Sequence, residues 1–220
     1  MISKEDLEIL EPRAFRNLPS LRTIDITQTN LKEIPKDVSN SISSITYMWM
    51  SRNKIDFIES GAFTNLESLQ IIGLSENALS YWNRECFENC TNLRTINFNN
   101  NKSSVIPIRA FAALPRLDII SLDDYEITTI QLDAVQNLEN LSYLGLFHNR
   151  LTVIDKRAFP NDMHIDYLNI QCNYPNYLPD KFLKKFSVKN ISLDSYNPWK
   201  CPCLQRIHDW LYFTNAYLQF

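Results

Sequence analysis

A spacing of 24 residues constrains this sequence more than any other feature. Apolar residues recur in the pattern L-x-x-L-x-L-x-x-N-x-L, and successive copies start at residues 21, 45, 69, 93, 117, 141 and 165. A further copy starts at residue 188, after a step of 23 instead of 24. A spacing held through so many units is typical of proteins that stack one small structural unit, in which each unit contacts only its neighbours.

The middle of each unit has the alternation of a short β-strand. Side chains along a strand point to opposite faces in turn, so Leu144 and Leu146 point inward while Gly145 between them points outward. One unit cannot bury its own leucines, and stacked units therefore form a continuous parallel sheet. At roughly 4.8 Å per strand, eight strands give a sheet about 40 Å long.

An asparagine at the ninth position of the unit has a defined task. Its amide can satisfy backbone donors and acceptors inside a turn that is buried between units. Five units carry it, as Asn53, Asn77, Asn101, Asn149 and Asn173. The other turns need a different solution, because the residue there is Thr29, Tyr125 or Tyr196.

The second half of the unit repeats as well and predicts a short helical or 3₁₀ segment on the convex side. An apolar residue recurs at the fourteenth position, as Ile34, Ile58, Trp82, Ile106, Ile130, Ile154 and Leu178. An Ala-Phe pair recurs as Ala14-Phe15, Ala62-Phe63, Ala110-Phe111 and Ala158-Phe159, and an Asn-Leu pair as Asn17-Leu18, Asn65-Leu66 and Asn137-Leu138.

The spacing also divides the chain. Residues 1–20 are expected to be a partial leading repeat whose amino-terminal cap is missing, and residues 21–196 to be the repeats. Residues 197–220 are expected to be a truncated carboxy-terminal cap. There the segment from Asn197 to Cys203 breaks the spacing. An amphipathic helix that covers the last exposed leucines is predicted from the helical spacing of Leu204, Ile207, Trp210 and Leu211.

These patterns resemble the leucine-rich-repeat family, and the N-P-W-x-C-x-C segment resembles the carboxy-terminal cap of its extracellular members. The convex-side pairs are most similar to insect proteins: mosquito-type leucine-rich-repeat immune proteins, Toll ectodomains and chaoptin-like adhesion proteins. The resemblance implies an α/β solenoid, a horseshoe with a concave parallel β-sheet, about eight 24-residue repeats and a carboxy-terminal cap helix. It also implies disulfides at Cys201 and Cys203, although the two later cysteines of such caps are absent before Phe220.

Composition excludes several functions. The formal net charge of −3 and the lack of a basic stripe argue against a nucleic-acid partner. Only three glycines are present, without a phosphate-binding loop, and no Cys/His group has zinc-ligand spacing, so we expect no cofactor and no metal. No apolar run is long enough to span a bilayer, and a signal peptide is not present in this chain.

Cysteines and glycosylation sequons bear on the compartment. Cys86 and Cys90 are expected to be buried thiols, whereas Cys172 falls beside the turn on the concave rim as a bridge site or a free thiol. Of the four N-x-S/T sequons, those at Asn89 and Asn140 are the better glycosylation candidates. The sequon at Asn101 is discounted, because this asparagine belongs to the buried turns.

The outward residues of the sheet are the default recognition surface of a stacked-repeat protein. The predicted partner-binding residues are Tyr47, Trp49, Arg52, Arg94, Asn97, Asn99, Asp123, Tyr143, Phe147, His148 and Tyr167. Exposed aromatic residues and arginine are common interface anchors, although aromatic residues on a sheet also pack on their neighbours. Asp118, Asp123 and Asp124 form an acidic spot for a basic partner or a cation, or a solvated charged face.

Catalysis is not predicted. Ser121, His148 and Asp123 could meet on neighbouring strands, but the sequence has no G-x-S-x-G elbow and no donors for an oxyanion. The sequence instead predicts a non-enzymatic extracellular scaffold that binds a protein ligand on its concave face, in innate immune recognition. Such relatives often dimerise through sequence outside this chain. The alternatives are the ectodomain fragment of a membrane receptor or cell-adhesion protein, and an intracellular interaction scaffold.

Overall fold

The protein is a parallel-sheet solenoid of about seven turns. The computed structural model describes residues 7–12, 14–39, 42–175 and 186–193, together with Asp209, Tyr212 and the backbone of Tyr217–Gln219. The strands in chain order are β1 (Thr23–Asp25), β2 (Glu33–Ile34), β3 (Tyr47–Trp49), β4 (Phe57–Ile58), β5 (Ile71–Gly73), β6 (Thr95–Asn97), β7 (Val105–Ile106), β8 (Ile119–Ser121), β9 (Thr129–Ile130), β10 (Asn140–Gly145), β11 (Met163–Asn169), β12 (Phe186–Ser192) and β13 (Tyr217–Gln219). Two 3₁₀ helices, η1 (Arg84–Phe87) and η2 (Lys156–Ala158), lie between them.

One main sheet runs along the described part of the solenoid. Its nine strands follow the order β1-β3-β5-β6-β8-β10-β11-β12-β13, and all neighbours are parallel. Tyr47 pairs with Ile71 and Tyr143 with Tyr167, both 24 residues apart, whereas Tyr167 pairs with Asn190 after 23. The pairing therefore confirms the register predicted from the spacing, including its one shorter step.

Burial alternates along these strands as the pattern predicts. In β3 the central Met48 is fully buried, while Tyr47 and Trp49 on either side are exposed. Aromatic rings fill the middle of the core, where Trp82 lies 5.5 Å from Phe98 and 5.3 Å from Phe111 between ring centroids. The outer face of the main sheet carries the residues that the sequence assigns to the concave face, and it is called the concave face below.

The turn asparagines form the predicted ladder. Asn101 is buried and donates from Nδ2 to the carbonyls of Leu74 and Phe98, at 3.0 and 2.7 Å. Its Oδ1 accepts from the backbone N–H of Leu79 at 2.9 Å. These groups belong to two adjacent units, so each asparagine links its own turn to the preceding one.

The two described exceptions to the ladder behave differently. Thr29 takes part in it, because its backbone N–H donates to Oδ1 of Asn53 at 2.9 Å. Tyr125 is buried, and its hydroxyl has no hydrogen-bond partner among the described residues. Ser103 belongs to the unit before Tyr125 and stands at a position where the other described units have leucine, isoleucine or, in the case of Pro175, proline. The unpaired hydroxyl costs stability, because on burial it loses its hydrogen bonds to water.

The convex side confirms the 3₁₀ alternative in two units and contains less helix than an α/β solenoid was expected to have. Within the described residues it consists of turns, two-residue strands and the two 3₁₀ helices. The cause is the backbone, because Asn65, Asn89, Asn137, Arg109 and Asp133 all have positive φ and stop a right-handed helix from continuing. The Asn-Leu pairs mark such a position, since asparagine tolerates the left-handed conformation better than most residues.

The carboxy-terminal cap is only partly described. Asp209 and Tyr212 are helical, while Cys201, Cys203 and the apolar residues of the predicted cap helix lie outside the described residues. Leu178 and Tyr196 lie outside them as well. The sequence did not predict β13, which pairs with β12 at the end of the main sheet. The segment 197–220 therefore contains a strand in addition to any helix.

Candidate functional site

The concave face begins with an exposed aromatic pair. Tyr47 and Trp49 retain 37% and 36% of their accessible surface, whereas the core residues around them retain almost none. A methyl group at Gly73 would come within 2.8 Å of the Trp49 ring, so this glycine lets the indole lie across the next strand. At the rim, Arg52 and Glu76 form an ion pair of 3.0 Å between successive units.

Amide and hydroxyl groups occupy the middle of the face. Asn97 Oδ1 accepts from Ser75 Oγ at 2.6 Å, and Asn99 Oδ1 accepts from Ser121 Oγ and from the Asp123 backbone N–H, both at 2.8 Å. Neighbouring units are thus joined by side-chain hydrogen bonds on the outer surface as well. Asn97 and Asn99 are half-buried and partly occupied in holding the sheet together.

Asp123 is the most enclosed carboxylate of the face. Its Oδ1 accepts from the Phe147 backbone N–H at 2.8 Å, and its Oδ2 accepts from Ser121 Oγ at 3.1 Å and from the Tyr143 hydroxyl at 3.2 Å. Burial raises the pKa of Asp123 above its usual value, and these three donors partly offset that effect. A side chain at Gly145 would collide with Asp123 and Tyr143, so the arrangement requires glycine there.

The remaining predicted aromatic residues pack on neighbours while staying partly exposed. Tyr143 and Tyr167 stack with 5.7 Å between ring centroids and an angle of 14° between ring planes. Burial, followed by the nearby negative charge of Asp123, raises the pKa of the Tyr143 hydroxyl. Phe147 is half-buried beside His148, with ring centroids 5.8 Å apart.

Charged residues lie at the two rims. Arg94 is exposed and lines a groove with Asp118 and Asn140 at the strand beginnings. On the opposite rim His148 Nδ1 contacts Asp124 Oδ1 at 2.8 Å. The face thus has aromatic, amide and hydroxyl groups in the middle and most of its charge at the edges, as protein interfaces do.

Two apolar residues of the concave face were not among the predicted partner-binding residues. Ile71 and Ile119 are half-buried on the concave face and share the column of Tyr47, Tyr143 and Tyr167. The signal was available, because Ile71 follows Tyr47 by 24 residues and Ile119 precedes Tyr143 by 24. Residues at this one position of the unit therefore form a row across the concave face.

A catalytic serine needs a hydrogen bond to its base. Ser121 donates to Asn99 and Asp123, and among the described residues no hydrogen bond joins it to His148. A second group does come together, because His164 contacts Ser187 Oγ at 3.0 Å and Asp166 Oδ1 at 3.3 Å. These residues lie on the open face of β11 and β12, and we assign them the role of joining the two strands.

The sequons and cysteines with described positions differ clearly in solvent exposure. Asn89 and Asn140 are exposed, whereas Asn101 is 5% exposed and its amide belongs to the turn ladder. Cys86 and Cys90 are fully buried and not bonded to each other, which confirms that they fill the core. Cys172 is half-buried at the rim in a conformation with positive φ.

Burial makes Cys86 and Cys90 unreactive. It raises the pKa of Cys86 to about 11 and that of Cys90 to about 12. We therefore expect iodoacetamide at about pH 8 to leave both unlabelled in the native protein and to label both in urea, because the thiolate is the reactive form. Peptide mapping by mass spectrometry reads each site separately. Rapid native labelling at either cysteine would contradict its burial in the core.

The folded chain holds these two protons more tightly than the unfolded chain, whose cysteines titrate near 9.0. Their contribution to stability is therefore complete below that pH and is lost as the pH rises from there toward 11 and 12.

Metal binding and membrane insertion can be assessed for the described residues. No group of three or more His, Cys, Asp or Glu residues suited to a metal ion occurs within the described ranges. In the same part of the chain, no helix has both the length and the apolar character needed to cross a membrane.

Comparisons with known proteins agree with this architecture. The family described as BspA type Leucine rich repeat region (6 copies) matches residues 1–117, and the family described as Leucine rich repeat matches residues 91–151 and 115–174. No curated protein matches the sequence. Leucine-rich-repeat families are generally non-catalytic scaffolds for protein interaction, and no enzymatic family is indicated.

Two solved structures show the same fold. A leucine-rich-repeat protein of Leptospira interrogans superimposes with a TM-score of 0.63 at 20% identity, over 97% of this chain and 64% of its own. TLR13, solved in complex with ssRNA13, superimposes with a TM-score of 0.64 at 20% identity, over 88% of this chain and 33% of its own. This chain thus spans less than two thirds of either protein. On the family matches and the register of its main sheet, the chain belongs to the leucine-rich-repeat family.

Proposed function

We propose that this chain is an extracellular scaffold that binds a protein partner on its concave face and serves in innate immune recognition. The observation that carries the proposal is the exposed pair Tyr47 and Trp49. Across the strands, the position of Tyr47 continues through Ile71, Thr95 and Ile119 to the stacked tyrosines. Aromatic residues exposed on a rigid sheet provide contact area while losing little conformational entropy on binding.

Three features support the extracellular part of the proposal. Asn89 and Asn140 present exposed sequons, and the N-P-W-x-C-x-C segment resembles the cap of extracellular relatives. The fold shared with TLR13 supports the alternative that this chain is the ectodomain of a receptor or adhesion protein. An intracellular scaffold would instead keep Cys201 and Cys203 as thiols.

Trp49→Ala is expected to weaken partner binding about tenfold or more, because truncation of an interface tryptophan commonly costs over about 1.4 kcal/mol. The melting temperature should stay nearly unchanged, since the ring lies on the outside of the sheet across Gly73. Binding is measured by surface plasmon resonance with the partner captured by the full-length protein, and stability by differential scanning calorimetry.

Tyr81→Ala is the matched control, because Tyr81 is an aromatic residue of the convex side with 53% exposure. It should leave binding intact. Equal losses of affinity for the two variants, or a large fall in melting temperature for Trp49→Ala, would show that Trp49 does not act as a binding residue.

A further inference from the structure

The two halves of the concave face differ in charge. Between residues 93 and 172, the outward positions of four successive units carry one arginine, Arg94, and four aspartates: Asp118, Asp123, Asp124 and Asp166. Among the described residues, none of these aspartates forms an ion pair with lysine or arginine. The three preceding units carry two arginines, one aspartate and one glutamate and are formally neutral.

Neutral donors hold Asp118 and Asp123 in place without cancelling their charge, whereas Asp124 and Asp166 contact the imidazoles of His148 and His164. Asp118 Oδ1 accepts from the Ser142 backbone N–H at 3.1 Å and from Ser142 Oγ at 2.6 Å. Asp123 is held by three donors of the same kind, including the Tyr143 hydroxyl. These two carboxylates therefore stay fixed in the absence of a partner, so a cation that binds them loses little energy to their reorganisation.

Aromatic faces lie between these carboxylates. The stacked Tyr143 and Tyr167 are on the column that directly follows Asp118 and Asp166, while Asp123 and Phe147 follow the opposite ends of the strands. A guanidinium or ammonium group gains from contact with an aromatic face and from a neighbouring carboxylate together.

We infer that this half of the concave face, with Tyr143 and Tyr167 at its centre and Asp118, Asp123 and Asp166 around them, binds a basic surface of a protein partner through arginine or lysine side chains. The inference rests on the protein-binding function proposed above and adds the chemistry of the partner. Because Trp49 and Tyr143 lie four strands apart, the partner presents an apolar anchor and a basic anchor about 19 Å apart. An RNA strand does not fit, since its phosphates would face four aspartates.

The test uses a fluorescein-labelled peptide of three arginines separated by glycines, and a matched peptide of three glutamates. Anisotropy is measured with the full chain at about 50 mM NaCl, where screening is weak. We expect the arginine peptide to bind and the glutamate peptide not to bind. The Asp118→Asn/Asp166→Asn variant should lose about tenfold in affinity for the arginine peptide, and Asp123→Asn about fivefold.

The control is Asp133→Asn/Asp162→Asn, which removes the same charge from the convex side at two positions of positive φ that asparagine tolerates. It should leave affinity unchanged. Equal losses for the two double variants would show a general charge effect and overturn the inference, as would no detectable binding of the arginine peptide. Either result would leave the Trp49 test of protein binding standing, so the two proposals fail separately.

Discussion

Leu144→Ala is expected to lower the free energy of unfolding by about 2–5 kcal/mol. Leu144 is an inward residue near the end of β10 and is only 2% exposed. Truncation of its side chain leaves a cavity in the core. The neighbouring strands β8 and β11 are held in register on either side and cannot close this cavity completely. Urea denaturation followed by circular dichroism measures the loss.

The same substitution at Leu132 is the control, because this leucine is 43% exposed on the convex side. Leu132→Ala should change stability by less than about 0.5 kcal/mol. A Leu144→Ala protein as stable as the wild type would show that Leu144 does not point into the core, and the 24-residue register would then be wrong.

Asn101→Ala is expected to cost at least about 2 kcal/mol, because each buried backbone group left without a partner costs about 1–3 kcal/mol. The amide of Asn101 serves the Leu79 N–H and the carbonyls of Leu74 and Phe98, and alanine serves none of them. Chemical denaturation measures the loss in stability. Amide hydrogen exchange should show increased exchange at Leu79 in particular.

Asn161→Ala provides the comparison, because Asn161 is exposed on the convex side. It should leave both readouts close to those of the wild type. If Asn101→Ala left the free energy of unfolding equally unchanged, the turn amides would not contribute to stability. The units would then be joined by the apolar core alone.

The parts of the fold that follow from the spacing could be predicted from the sequence. Strand alternation determines which face each residue occupies, so the burial of Met48 and the exposure of Trp49 both follow from their positions in one unit. The ladder was predictable for a similar reason, since an asparagine that recurs next to a buried strand has to serve the backbone of the turn.

Other parts depend on information that a repeat pattern does not carry. The convex side has less helix than expected, in part because Arg109 and Asp133 have positive φ. Residue type alone does not reveal this backbone conformation. Strand β13 was missed because it has only three residues, next to a segment whose apolar spacing favours a helix.

The columns of the candidate surface were predictable, but the contacts within it were not. The stacking of Tyr143 on Tyr167 and the three hydrogen bonds to Asp123 depend on side-chain rotamers. Gly145 was the available signal, because a glycine in the middle of a strand often marks a place where a neighbouring group approaches the backbone closely.

The most direct test of the extracellular binding function is purification of the endogenous full-length protein without reductant, followed by mass spectrometry. We expect oxidised Cys201 and Cys203, glycan on Asn89 or Asn140, and an extracellular protein that co-purifies and is lost with Trp49→Ala. Reduced cysteines, unmodified asparagines and only cytosolic partners would contradict the proposed function, while the solenoid fold would still stand.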